Sequence, residues 1–313
     1  MTIDPSSLFS TYSIVACDSE AGELGAAVQT HQMCVGSRVL WLQPGVGALA
    51  TQSMANIAFG PVGLMMLEQG MAPEAVIAGL IATDGQGARR QVALVNAAGQ
   101  AAAFTGDGCI PHAGDCVGAG YSVQANMMTR PTVIEAMRAA YEAATGDLAA
   151  RMLAALDAAQ AEDGDIRGMQ SAALKVVSTA HGIPESGRYL YDLRVDEHET
   201  PVRELGRLVT MRRAQNVDSH GYAALERGDK AAALDWWAQA RASGQAQVEL
   251  AFWQAVALAD AGDVPAAADI LRPALVGHAR RAHWLDLLDR LEACGLIERS
   301  GAAGELVRAL SEN

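Results

Sequence analysis

Thr11-Tyr12-Ser13-Ile14-Val15-Ala16-Cys17, then Asp18-Ser19-Glu20-Ala21-Gly22-Glu23, then Leu24-Gly25-Ala26-Ala27-Val28-Gln29, is the stretch that decides the fold. Two apolar, β-rich runs flank a polar turn that contains glycine, the pattern of a β-hairpin. Ten residues precede the first run, Met1 to Ser10, with Pro5 and three serines among them. If the chain began at Thr11, that residue would carry a hydroxyl and a free amine, which together form a nucleophile and its base. Behind an intact Ser10–Thr11 bond the nitrogen is an amide and has no basicity to offer.

Outward from this hairpin, strand pairs alternate with helices. Val39–Leu42 and Gly47–Thr51 form a second pair around Pro44-Gly45, and Gln91–Asn96 with Ala101–Thr105 a third around Ala97-Ala98-Gly99. Gly60–Gly70 and Pro73–Thr83 have helical spacing, with proline acceptable in a first turn. Tyr121–Asn126 reads as a strand, Pro131–Ala144 and Asp147–Glu162 as alanine-rich amphipathic helices, and Ser171–Val177 and Tyr189–Val195 as late strands. Such an order predicts an α+β fold with helices packed on antiparallel sheets.

From about Val202 the β signal ends. Ala223–Ala233 aligns with Ala257–Ala267 at an offset of 34 residues, the period of tetratricopeptide helix pairs, with Gly-Asp at the turn in both copies. Trp236, Trp237, Phe252 and Trp253 mark the apolar face. Two copies are too few for a self-standing solenoid, so the module is expected to lean on the first domain, on the helix around Ala282–Ala293, or on a second subunit. The domains are therefore 1–10 as leader, 11–210 as the α+β domain and 211–313 as the helical one.

At 313 residues with a formal net charge of −13, the chain is ill suited to nucleic acid or an anionic membrane. Its basic residues are scattered, with only short pairs such as Arg89-Arg90, Arg212-Arg213 and Arg280-Arg281. Five cysteines, 17, 34, 109, 116 and 294, show no CxxC or zinc spacing and read as free buried thiols of a reducing compartment. With no basic leader or membrane-length apolar run, a cytoplasmic location is expected. Gly45-Val46-Gly47 and Gly118-Ala119-Gly120 lack dinucleotide spacing, and no Walker or HExxH word occurs, so neither metal nor cofactor is expected.

Polar residues at strand ends remain as candidates for chemistry. They are His31 after the second strand, Thr51-Gln52-Ser53 and Asn56 after another, Gln124 and Asn126 at a third, and Asp165 and Arg167 before a fourth. Taken singly, each is also a turn former or a satisfied core residue.

The ordered words TYSIVACD, GELGAAVQTH, GVGALATQ, AN-x-x-FGP-x-GL, AAAFTG, YSVQAN and GD-x-RG-x-QSAAL resemble the Ntn-hydrolase-like family called domain of unknown function 1028, over residues 11 to about 210. The resemblance implies a four-layer αββα sandwich with a small all-α, TPR-like domain behind it. It also implies Thr11 as N-terminal nucleophile, exposed by cleavage of Ser10–Thr11. His31 falls where proteasome-like members carry an acidic residue, and Asn56 or backbone N–H groups would stabilise the oxyanion. Gln52, Gln124, Asn126, Asp165 and Arg167 are the substrate-binding candidates; Arg167 either grips a substrate carboxylate or closes its loop through a salt bridge to Asp165. Leu285–Leu291 and Gly295-Leu296 resemble a C-terminal domain associated with peptidoglycan binding. Two readings follow. One is an amide (C–N) hydrolase acting on a small molecule. The other is a binding or scaffold protein with an inactive domain, in which the helical module recruits a protein partner. The tryptophans on the short repeat suggest a homodimer.

Overall fold

The structure, a computed structural model, describes residues 8–182, 188–243 and 248–311. Met1–Ser7 of the leader lie outside the described residues. The chain divides into two compact units, Met1–Val209 and Thr210–Asn313.

In the first unit the strands form two antiparallel sheets. One contains β1 (Leu8–Phe9), β4 (Leu40–Gln43), β5 (Gly47–Met54), β6 (Arg90–Asn96) and β7 (Ala101–Thr105). In the other the order is β11 (Tyr189–Val195), β10 (Ser171–Ser178), β3 (Glu23–Thr30), β2 (Thr11–Asp18), β9 (Tyr121–Asn126) and β8 (Gly114–Gly118). The opening hairpin is β2–β3, in register from Asp18↔Glu23 outward to Thr11↔Thr30.

Both faces of β2 are buried, so the apolar run is nearly continuous rather than alternating. Side chains alternate across the strand. Tyr12, Ile14 and Ala16 enter a core shared with α3 (Val133–Ala143) and α4 (Leu148–Ala161). Val15 and Cys17 enter a second core, where they meet Leu42, Ala48, Ala50 and Ala93 of the other sheet. Leu49, Val92 and Leu94, on that sheet's far face, pack with Leu64, Leu67, Val76 and Leu80 of α1 (Phe59–Glu68) and α2 (Pro73–Ala82). Gly25 is needed for close approach: a Cβ there would lie 2.5 Å from the Met152 methyl of α4.

Sequence reading missed two strands. Gly114–Gly118 is a mostly half-buried edge strand with two glycines in five residues, which weakens its pattern. Leu8–Phe9 pairs with Met54 and Ser53 of β5. The end of the leader is thus a strand of one sheet, and the chain passes through Ser10 into the other sheet at Thr11.

The second unit is helical: the end of α5 (Pro201–Glu226), then α6 (Lys230–Ala242), α7 (Val248–Asp260), α8 (Val264–Leu275), α9 (Arg281–Ala293) and α10 (Ala302–Ser311). The 34-residue repeat has a geometric counterpart. Gly228 and Gly262 both take positive φ, 80° and 87°, a conformation that glycine adopts without steric cost. Asp229 and Asp263 then cap α6 and α8 by accepting from the N–H of Ala232 and Ala266. Trp237 and Phe252 are fully buried, whereas Trp236 and Trp253 are each 37% exposed. Leu288 and Leu291 of α9 and Leu306 and Leu310 of α10 complete the core, so the helix expected around Ala282–Ala293 does supply part of what two repeats lack.

Among the described residues no helix is long and apolar enough to cross a membrane. All five cysteines are free. Cys17 and Cys109 are buried, but Cys294 is exposed and Cys34 and Cys116 are intermediate, which corrects the expectation of uniformly buried thiols.

Candidate active site

Thr11 opens β2 with its side chain on the inner, sheet-facing side, in alternation with Ser13 and Val15. It is fully buried, and its Oγ1 has no hydrogen-bond partner. A buried hydroxyl left unpaired costs roughly 1–3 kcal/mol, and such exceptions call for an explanation, catalysis among them.

The carbonyl just ahead of Thr11 is held from two sides. Thr30, opposite Thr11 in the hairpin, donates its hydroxyl to the Ser10 carbonyl oxygen. Arg167 donates Nη2–H to the same oxygen at 3.3 Å. Arg167 is itself fixed by Asp165, which accepts from Nε at 3.2 Å, from Nη2 at 2.9 Å and from the Arg167 backbone N–H at 2.9 Å. The Asp165 side chain is sealed from solvent and also accepts the His31 backbone N–H at 3.0 Å. Of the two roles weighed for Arg167, the salt bridge to Asp165 is present, and the guanidinium also holds the Ser10 carbonyl rather than standing free.

Behind Thr11 the two sheets are joined by buried amides. Ser13 donates to Gln52 Oε1 at 2.6 Å and accepts from Gln124 Nε2 at 2.6 Å. Gln52 Nε2 lies 3.3 Å from the Thr11 carbonyl and 2.8 Å from Gln91 Oε1, which also accepts from Asn126 Nδ2 at 2.8 Å. Gln91 Nε2 in turn reaches Thr105 Oγ1, the Gly114 carbonyl and the Ala125 carbonyl. Gln52, Gln91, Gln124 and Asn126 are all fully buried. Of the strand-end polar residues, Gln52, Gln124 and Asn126 converge between the sheets, where they bond to Ser13 and Gln91.

Two expected catalytic partners point elsewhere. The His31 ring sets Nδ1 3.2 Å from the Met169 carbonyl. Asn56 donates Nδ2–H to Asp84 at 2.9 Å and caps the Ala58 N–H with its Oδ1. Its amide thus secures the end of β5, where Arg90 also bonds Asp84 and the Met54 carbonyl. The donors to the carbonyl ahead of Thr11 are Thr30 and Arg167. Thr30 escaped sequence reading, yet counting equally outward from the Asp18–Glu23 turn places it opposite Thr11. Gln91 escaped because a lone glutamine at a strand start has no pattern of its own.

Burial alone would raise the Asp84 carboxyl. Hydrogen bonds from Asn56, the Gln86 N–H and Arg90, with the charge of Arg90, bring it below the usual carboxylate range. A group whose folded pKa is depressed contributes stability above its unfolded pKa of about 4 and loses it as pH falls through the folded value. Urea midpoints of the wild type and Asp84→Asn are therefore expected to differ at pH 6 and to converge toward pH 2. A constant gap across that range contradicts the assignment.

Among the described residues no three His, Cys, Asp or Glu side chains are grouped to hold a metal. A family model described as "Family of unknown function (DUF1028)" matches residues 11–205. The chain belongs to DUF1028. The DUF1028 match begins at Thr11 and takes in every residue of the site except Ser10, whose carbonyl is the group held. A Silicibacter pomeroyi protein of the same family, known from a crystal structure, is 33% identical, with a TM-score of 0.57 over 64% of this chain and 87% of that one. No curated protein matches this DUF1028 chain.

Proposed function

We propose that this end of the first unit is the centre of an N-terminal-nucleophile amide hydrolase, formed by scission of Ser10–Thr11. The observation that carries it is a buried, partnerless Thr11 hydroxyl directly behind a carbonyl held by Thr30 and Arg167. The packing order of helices, sheet, sheet and helices supports an Ntn-hydrolase-like αββα sandwich.

The chemistry follows from connectivity. Thr11 Oγ can reach the Ser10 carbonyl carbon through a five-membered ring of Oγ, Cβ, Cα, N and that carbon. Attack forms an oxyanion between the Thr30 hydroxyl and the Arg167 guanidinium, both donors already in place. The C–N bond breaks, the nitrogen takes the proton lost by Oγ, and Ser10 is left as an ester on Thr11. Water hydrolyses the ester, releasing the leader as a carboxylate and restoring the hydroxyl. The new α-amine, with an ordinary pKa near 8, can then act as base. An amide substrate repeats the sequence, with its acyl oxygen where the Ser10 oxygen was. Departure of β1 frees the β5 edge at Ser53–Met54 for the acyl part, so the substrate is an acyl amide whose acyl arm lies along that edge. In this reading His31 and the buried amides position β2 and β3, and Asp165 aims Arg167.

Intact mass of the purified protein is expected to show a chain beginning at Thr11. Thr30→Val should slow scission by about 10²–10³-fold, the usual cost of one oxyanion donor. A full-length mass under all conditions would leave the scaffold reading, in which the first unit is inactive and the helical one recruits a partner.

A further inference from the structure

The second unit carries a cavity that the proposed chemistry does not use. It has a volume of about 680 Å³ and lies between α5, α7 and the turn after α9. Asp218 and Tyr222 come from successive turns of α5, and Trp253, Val256 and Asp260 from one face of α7; Leu296 stands at the turn. Trp253 is 37% and Leu296 67% exposed, far more than their apolar character favours. No lysine or arginine lines the cavity.

The polar groups here have an unusual balance. Tyr222 Oη is buried and has no hydrogen-bond partner. Asp218 is 6% exposed; its carboxylate accepts Gln254 Nε2 at 2.5 Å, and Gln254 in turn accepts Arg241. Among the described residues Asp260 accepts one hydrogen bond, from the Arg299 backbone N–H at 2.7 Å, while the Arg299 side chain bonds the Ala259 carbonyl and Glu305. Two carboxylates, a phenol oxygen and an indole thus line a space with no cation in its own lining, while Arg241 acts on Asp218 and Arg299 on Asp260 from outside it. An ammonium group meets all four, because it donates to carboxylates and phenol and is attracted to the indole face.

We propose that this cavity binds a lysine side chain of a partner polypeptide, with the ammonium between Asp218, Asp260 and Tyr222 and the aliphatic stem against Trp253. Two observations favour a polypeptide over a free amine. The volume exceeds what one lysine side chain fills, and the exposed Leu296 offers apolar surface to flanking residues. The −13 net charge of the chain draws such a basic segment in.

The test is fluorescence anisotropy of the full-length protein with a labelled heptapeptide of alanine, leucine and two lysines, beside the same peptide with both lysines acetylated. Saturable binding is expected for the first, weakening as salt is raised. Acetylation, Trp253→Ala and Asp260→Asn should each weaken it by about tenfold, with far-UV circular dichroism unchanged. Equal binding of the acetylated peptide, or indifference to both substitutions, overturns the proposal. So does sedimentation showing a dimer that Leu296→Glu dissociates, since the groove would then be filled by a second copy.

Discussion

Thr11→Ala is expected to abolish release of the leader and to lower turnover of any amide substrate by at least about 10⁴-fold, while the protein stays folded. Removing a nucleophile that acts as one unit with its base eliminates nearly all catalysis beyond binding and oxyanion stabilisation. The fold should tolerate the change because Thr11 Oγ1 has no hydrogen-bond partner to lose. Deleting the hydroxyl strands no buried group, and the lost methyl costs about 1 kcal/mol. Thr11→Ser keeps both the oxygen and the amine and should retain scission. Mass spectrometry reads the leader, and urea unfolding reads the fold. An alanine variant that still sheds residues 1–10 would remove Thr11 from the chemistry.

The second large effect concerns stability. Gln91→Leu should destabilise the first unit by about 3–5 kcal/mol. Gln91 is fully buried, accepts from Gln52 and Asn126, and donates toward Thr105, Gly114 and Ala125. Leucine of similar size would fill the space but withdraw an acceptor from two buried amides and a donor from the Ala125 carbonyl. Each group so stranded costs roughly 1–3 kcal/mol, and in a shared network such losses are not independent. Hydrogen exchange of the β6 and β9 amides is the direct readout. Protection unchanged from wild type would show that the amide network contributes little.

These two variants separate what the inner face does. Thr11 and Gln91 both sit between the sheets, but only one has every polar atom bonded. A side chain with both polar atoms bonded holds the layers together, whereas an unpaired hydroxyl behind a gripped carbonyl does nothing for stability. The two are therefore expected to fail in different ways.

Much of this was readable beforehand. Polar turns between apolar runs placed nine of the eleven strands among the described residues, because local turn chemistry and two-residue alternation act over only a few positions. The Gly-Asp words fixed the helical repeat, since positive φ at Gly228 and Gly262 and capping by Asp229 and Asp263 are local demands. Thr11 stood out through covalent position alone, as a hydroxyl residue at the head of the first strand.

The partners of Thr11 were not readable in that way. Sequence reading favoured His31 and Asn56, whereas the tertiary structure turns His31 to Met169 and Asn56 to Asp84 and brings Thr30 and Arg167 to the Ser10 carbonyl. Ser10 and Arg167 are 157 residues apart, and no local rule couples positions so distant. Hairpin register, the Asp165 salt bridge and the stacking of two sheets decide which side chains meet. The sequence by itself determined the strands, the repeat and the candidate nucleophile, because these depend on neighbours along the chain. Only the tertiary structure decided what surrounds that nucleophile, because burial pairs donors and acceptors by proximity in space.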